Sequence, residues 1–174
     1  MEFLENYRTI SPFVLGGNIF SMLDKEWMLI TAGSTESFNT MTASWGMFGI
    51  LWNKPVATIF IRPQRHTLEF VEKQNVFTLS FFGKGHRDAL NFCGTKSGRE
   101  HNKPMETGLT PVITPKQGIA FAQARLVVDC VKLYNDKIVP EGFESKELPT
   151  SIYPKDDFHR FFIAEILGCY EERR

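Results

Sequence analysis

Extended apolar runs separated by short breaks, with no long helix between them, limit what this chain can fold into. Val56 to Ile61, Val76 to Phe82, Ala120 to Leu133 and Arg160 to Tyr170 are rich in β-branched and aromatic residues, as strands are. In Val76 to Phe82, Phe77, Leu79 and Phe81 fall on one face and Val76, Thr78, Ser80 and Phe82 on the other. In the longest run, Ala122, Ala124, Leu126, Val128 and Cys130 share one face; Gln123, Arg125, Val127, Asp129 and Val131 share the opposite one. Shorter extended pieces are expected at Asn18 to Met22, Trp27 to Thr31, Asn39 to Gly46 and Pro111 to Pro115. Pro55 is tolerated because it precedes the strand beginning at Val56. Helices are expected only as inserts: Leu68 to Lys73 or Gln74, capped by Thr67 with Glu69 in the first turn, and His86 to Phe92, burying Ala89, Leu90 and Cys93. Met1 to Phe13 reads as an irregular arm or a short helix, Gly83 to Gly85 as a turn, Gly94 to Pro104 as an exposed mobile loop, and Glu141 to Asp157 as loop. Strands not alternating with long helices disfavour a doubly wound parallel sheet. The expectation is one domain over residues 1–174, mainly β with short helices, forming an antiparallel β-barrel.

Charge and cysteine usage narrow the function classes. Twenty basic and 20 acidic residues give zero formal net charge, which argues against nucleic acid as the main partner. Cys93, Cys130 and Cys169 are far apart and odd in number, so neither a disulfide framework nor a zinc site is expected. The N-terminus has no apolar core run and no stretch approaches the length of a membrane helix. The expected setting is a reducing cytoplasm, without membrane association. The 16 phenylalanines suit a tightly packed barrel, or apolar surface covered in a dimer.

Two polar knots lie one strand apart. Asn39-Thr40-Met41-Thr42-Ala43-Ser44-Trp45-Gly46 combines an amide, hydroxyls and a large ring; Arg62-Pro63-Gln64-Arg65-His66-Thr67 adds two cations beside a helix start. Together they suit a flat, polar-edged, anionic ligand. Asn39, Met41, Thr42, Ala43 and Ser44 are candidates for its ring edge and polar chain, Trp45 for its apolar face. Arg62, Arg65 and Thr67 are candidates for its anionic group, because a helix N-terminus adds free N–H groups. Lys84 is a further cation, and Ser97, Gly98, Arg99 and Lys103 stand in a loop able to close over the ligand. Each residue also has a plain structural reading: a self-satisfied polar turn, a core or interface tryptophan, a surface ion pair, an N-cap, a solvated loop. Cys93 reads as a small buried hydrophobe. His159 stands where it can face the ligand or serve the strand start. His66, His86 and His101 have no partner pattern for a metal, and no Ser/His/Asp order or carboxylate pair marks a hydrolase.

These stretches, together with Lys54-Pro55, Phe77-Thr78-Leu79-Ser80-Phe81-Phe82, Cys93-Gly94-Thr95-Lys96-Ser97-Gly98-Arg99 and Asp157-Phe158-His159, resemble the flavin reductase-like family, and within it the flavoredoxin type. The resemblance covers most of the chain. It implies an FMN-binding split β-barrel of antiparallel Greek-key type and a homodimer with FMN near its interface. It further implies an oxidoreductase passing electrons from NAD(P)H through FMN to a small acceptor or partner protein. The alternative is an FMN-containing electron-transfer protein reduced by a partner protein rather than by NAD(P)H. There is no Gly-x-Gly-x-x-Gly after a strand, hence no dedicated dinucleotide fold. His159 is then the candidate residue beside flavin or nicotinamide.

Overall fold

The structure, a computed structural model, describes residues 3–173. Ten strands follow in chain order: β1 (Tyr7–Ile10), β2 (Met28–Gly33), β3 (Phe38–Ala43), β4 (Gly46–Leu51), β5 (Lys54–Ile61), β6 (Val76–Phe81), β7 (Pro111–Ile113), β8 (Ile119–Phe121), β9 (Leu126–Lys137) and β10 (Arg160–Glu172). The helices are short: α1 (Phe3–Asn6), α2 (Ile19–Ser21), α3 (Thr67–Lys73), α4 (Arg87–Thr95), α5 (Lys103–Thr107) and α6 (Glu147–Ile152). Eight strands form one antiparallel sheet in the order β3-β2-β6-β9-β10-β5-β4, with β1 on the far half of β10; β7 and β8 pair separately.

The two ends of that path, β3 and β4, are consecutive in the chain and joined only by Ser44 and Trp45. Three Cα steps span at most about 11 Å, so the sheet has to curl until its edges nearly meet. The result is a barrel split along one seam, which Ser44 and Trp45 cross. From β5 the chain passes through α3 and returns beside β2 as β6, a Greek-key step. The β4–β5 hairpin turns on Trp52 and Asn53, both at positive φ (51° and 57°), the pattern of a type I′ turn.

Both faces of the central strands are buried, which is why their sequences are not cleanly polar on one side. Ile30, Leu79, Phe81, Val128 and Phe162 fill the barrel. Leu29, Phe82, Val127, Leu90 and Phe121 pack on the outer face, under α1, β1 and α4. Tyr7 locks that layer: its hydroxyl donates to the Ala124 carbonyl at 2.6 Å and its ring stacks on Phe3 at 4.4 Å. Asp129 is fully buried there and accepts from Thr114 Oγ1 at 2.7 Å; burial pushes its carboxyl up to about 6.

Several local expectations are corrected. Asn18 to Met22 is not a strand; the Asn18 side chain accepts from Ser21 N and starts α2, which runs on into a π turn over Met22–Glu26. The long run from Ala120 breaks into β8 and β9, because Ala122 and Ala124 make turn hydrogen bonds to Thr110 and Phe121. The stretch at the N-terminus holds the short helix expected, α1, but also a strand, β1, recruited by the end of β10. Glu141 to Asp157 contains α6. Residues 94–104 are not a free loop: α4 reaches Thr95, α5 opens at Lys103, and Lys103 is only 4% exposed.

Candidate functional site

The break in the ladder at the seam opens a cleft of about 300 Å³. Met41, Thr42 and Ala43 of β3 form one side, with Ser44 and Trp45 at the crossing. Phe60 comes from the end of β5 and Arg62 from just beyond it, Arg65 from the turn before α3, Gly94 from the last turn of α4, and His159 from the residue before β10. Met41, Thr42, Ala43, Ser44, Trp45, Arg62, Arg65 and His159 were all candidates from sequence; Phe60 and Gly94 were not.

The backbone here is more important than the side chains. β3 pairs with β2 on one edge only. Lys103 Nζ donates to the Thr40 carbonyl at 2.7 Å, so Thr40 turns its backbone groups away from β2. Residues two apart on a strand turn the same way, which puts the N–H and C=O of Thr42 on the open edge. Ser44 and Trp45 lie outside both strands, and among the described residues neither makes a backbone or side-chain hydrogen bond. The Thr42 hydroxyl is used internally, donating to Leu90 O at 2.5 Å. Gly94 packs on that residue; a Cβ there would lie 3.3 Å from Thr42 Cβ.

The two arginines have different jobs. Arg62 is ion-paired with Asp157, donates to Ile152 O at 2.9 Å, and lies 5.2 Å from the Tyr153 ring centre. Its fork is committed to the segment preceding β10. Gln64 joins it, donating to the same Asp157 oxygen at 2.8 Å, and these bonds hold the Asp157 carboxyl below the ordinary range. Arg65 is half-buried and donates through Nη1 to Gly94 O at 2.6 Å. Burial lowers its pKa, and it makes no ion pair among the described residues. Its remaining N–H groups are the uncompensated positive charge of the cleft.

His159 is 6% exposed, with Nδ1 at 2.9 Å from the Tyr153 hydroxyl. Burial, reinforced by the nearby Arg62 charge, pulls its pKa down to about 4, so the imidazole is neutral at pH 7. Its ring lies 5.1 Å from that of Trp45, which is 47% exposed at the mouth.

Other candidates stand elsewhere. Asn39 lies behind the wall, its amide donating to Thr67 Oγ1 at 2.8 Å. Thr67 is not the N-cap of α3: His66 occupies that position, and the Thr67 side chain is buried as the first helical residue. Gly98 closes on Asn39 from outside; a Cβ there would meet Asn39 Oδ1 at 1.9 Å. Lys103 is a buried strut, donating also to Cys93 O at 3.0 Å, and burial lowers its pKa to about 8. Cys93 is fully buried beside it, its thiol pushed up to about 11 by burial. Ser97 caps a turn through its own hydroxyl and the Arg99 N–H at 3.2 Å. Lys84 is exposed and lines a separate cavity with Glu26, Arg87 and Arg125. Among the described residues no three His, Cys, Asp or Glu side chains gather as a metal set, and no helix is long and apolar enough to cross a membrane.

The family described as "Flavin reductase like domain" matches residues 21–174. No curated protein sequence matches. Among solved structures, flavoredoxin from Methanosarcina acetivorans is 18% identical, with a TM-score of 0.65 over 85% of this chain and 69% of that one. An FMN-binding domain of a flavin reductase-like enzyme from Shewanella baltica is 17% identical, with a TM-score of 0.68 over 96% of this chain and 78% of that one. An NADH:FAD oxidoreductase from Streptomyces globisporus is 14% identical, with a TM-score of 0.62 over 84% of this chain and 75% of that one.

Proposed function

We propose, from the premise that the chain belongs to the flavin reductase-like family, that its seam cleft holds FMN and that the protein is an NAD(P)H-dependent FMN oxidoreductase. The observation that carries this is the pairing of an open strand edge with an unpaired cation. The Thr42 backbone and the free groups of Ser44 and Trp45 match a flat ring with a polar edge. Arg65, with no carboxylate partner, matches a phosphate. The residues therefore fit the cofactor. Arg62 is reassigned from phosphate ligand to clamp: it fixes the segment that carries Tyr153 and His159.

When bound, FMN supplies the hydride and electron chemistry. The chain's own residues orient and shield it. Trp45 and Phe60 give flat apolar walls. His159, kept neutral, offers a hydrogen-bonding ring without adding charge beside the cofactor. Electrons pass on to a small acceptor or partner protein. A second copy of the chain covers the exposed edge strand β4 and the turn after it, where Met47, Ile50, Leu51 and Trp52 are all exposed.

The test is FMN titration of the purified protein and of Arg65→Met, followed by anaerobic addition of NADH or NADPH. A charge-assisted hydrogen bond contributes about 1.5–3 kcal/mol, so Arg65→Met weakens FMN about 10- to 100-fold and leaves riboflavin affinity unchanged. Rapid bleaching of the flavin band by the nicotinamide supports the reductase. A band bleached only by dithionite or a protein donor supports the electron carrier instead. Equal FMN affinity in both proteins sinks the phosphate assignment.

A further inference from the structure

Lys84 is a cation that the seam cleft leaves unused. It lines a separate cavity of about 200 Å³, with Gly83 beside it, Glu26 from the π turn, Arg87 and Leu90 from α4, and Arg125 from the residue before β9. Phe82 and Leu90, both buried, give it an apolar floor. No residue of this cavity lines the seam cleft. The two spaces lie at opposite ends of α4: Arg87 opens the helix and Gly94 stands in its last turn, about 10 Å along the axis at 1.5 Å per residue.

Three cations on the wall meet one carboxylate. Arg125 pairs with Glu26 through Nη2, which leaves two positive charges in excess. Asp88, beside Arg87 in sequence, is exposed and does not line the cavity. Lys84 has no hydrogen bond or ion pair among the described residues, and the other N–H groups of both guanidiniums are likewise unclaimed. The arginines are nevertheless held in place. Arg87 donates to the Lys25 carbonyl and lies over the Trp27 ring, 4.1 Å from its centre. Trp27 has φ 69° and ψ 172°, a strained combination that residues other than glycine rarely adopt. Its backbone N–H on Met22 O at 2.9 Å and its indole N–H on Asp24 O at 3.0 Å fix it there. A guanidinium already seated on an aromatic platform loses little freedom when it takes up an anion.

We propose that this cavity binds a dianionic phosphate group, with Lys84, Arg87 and Arg125 as its partners. A phosphate monoester carries about 1.5–2 negative charges at pH 7 and three acceptor oxygens, which matches the excess charge and gives one oxygen to each cation. The volume has room for about seven water-sized atoms, enough for a phosphate and a short stem but below that of pockets that enclose a whole drug-sized molecule. The apolar floor keeps water from screening the charges from behind. A carboxylate, with one charge and two oxygens, satisfies the wall only in part.

The experiment is calorimetric titration of the FMN-loaded protein, at constant ionic strength, with inorganic phosphate, glycerol 3-phosphate and, as the singly charged control, dimethyl phosphate. It is repeated on Lys84→Gln, Lys84→Arg and Arg87→Gln. Arg65→Met is titrated without FMN, so that the result does not depend on the flavin reading. Both dianions are expected to bind at least tenfold tighter than dimethyl phosphate. Lys84→Gln weakens them at least fivefold and Arg87→Gln at least tenfold, whereas Lys84→Arg and Arg65→Met stay within twofold of the wild type. Lys84 is exposed and unpartnered, so its variants test the site even where Arg87→Gln unfolds the chain. A preference for glycerol 3-phosphate identifies an ester as the source of the group, and equal affinities identify free phosphate; both support the site. Absence of binding, equal binding of dimethyl phosphate, undiminished binding in Lys84→Gln, loss of binding in Arg65→Met, or release of FMN by phosphate overturns the inference. Failure of FMN to bind while Arg65→Met takes up phosphate as expected defeats the flavin reading and leaves this one standing.

Discussion

His159 offers a quantitative check on the electrostatics of the cleft. Its ring is buried, shares a hydrogen bond with the Tyr153 hydroxyl, and faces the Arg62 guanidinium, with Asp157 as the opposing charge. The folded-state pKa of about 4 lies below the ordinary value of about 6.5. The sign follows from linkage. Above pH 6.5 both folded and unfolded chains carry neutral imidazole, and there is no penalty. As pH falls below 6.5 the unfolded chain takes up a proton that the folded one refuses, so stability drops until the folded ring titrates near pH 4. Between pH 6.5 and pH 5 the gap is about 1.5 pH units, or about 2 kcal/mol at 1.36 kcal/mol per unit. Urea unfolding of the wild type and of His159→Gln at pH 8 and pH 5 isolates this part. Glutamine keeps a polar partner for Tyr153 but does not titrate. Asp129, whose raised pKa acts with the opposite sign over the same range, is present in both proteins and cancels. The wild type is expected to lose about 2 kcal/mol more than the variant between the two pH values. Equal losses would refute the neutral, buried imidazole.

Three other perturbations read different parts of the structure. Asp129→Asn removes a carboxylate whose pKa lies about 2 units above its ordinary value, so it is expected to stabilise the fold by up to about 3 kcal/mol at pH 7; the gain should vanish below pH 4 in a pH series of urea melts, and a gain that persists in acid contradicts the reasoning. Gly98→Ala forces a methyl into Asn39 Oδ1 and is expected to cost about 1–3 kcal/mol, seen as a lower melting temperature together with weaker FMN binding, whereas an unshifted melt shows that the 96–102 turn yields freely. Lys103→Met deletes the bonds to Thr40 O and Cys93 O; the Cys93 thiol, fully buried in the wild type, is expected to react with Ellman's reagent at least tenfold faster, and an unchanged rate denies Lys103 its role as a strut.

The barrel was legible because its strands carry their own signal. Val56 to Ile61, Val76 to Phe82 and Arg160 to Tyr170 are β-branched and aromatic whatever surrounds them, and they became β5, β6 and β10. Where partners decide, local reading failed. Tyr7 to Ile10 has no strand character beyond its neighbours; it is a strand because residues 169–172 at the end of β10 offer an open edge. Asn18 to Met22 is apolar enough for a strand, but the Asn18 side chain reaches Ser21 N and nucleates a helical turn instead. The alternation from Ala120 to Leu133 is continuous in pattern, yet hydrogen bonds to Thr110 and Phe121 break it at residues 122–124. Asp129 shares a face with Gln123 and Arg125 by parity, and is buried because the β7–β8 hairpin covers that face.

The site shows the same division more sharply. Asn39 to Gly46 stood out for its hydroxyls and amide, but the structure uses several of those side chains internally: Thr42 on Leu90, Asn39 on Thr67, Thr40 on Thr31. What the stretch offers a ligand is backbone, left unpaired because the chain passes there from one end of the sheet to the other. Composition marked the stretch that lines the seam cleft, for a reason that only topology supplies. The arginines make the complementary point. Arg62 and Arg65 are equivalent in sequence, two cations three residues apart before a helix. Their fates diverge because Asp157, 95 positions further on, folds back beside the end of β5 and captures the first. Arg62 ties the segment from Ile152 to His159 to the barrel, alongside the Ile138 N–H on His159 O, and burial there, with the Arg62 charge second, keeps the histidine on the wall neutral. Arg65, whose guanidinium has only the Gly94 carbonyl for a partner among the described residues, is then the one cation of the pair able to answer a phosphate.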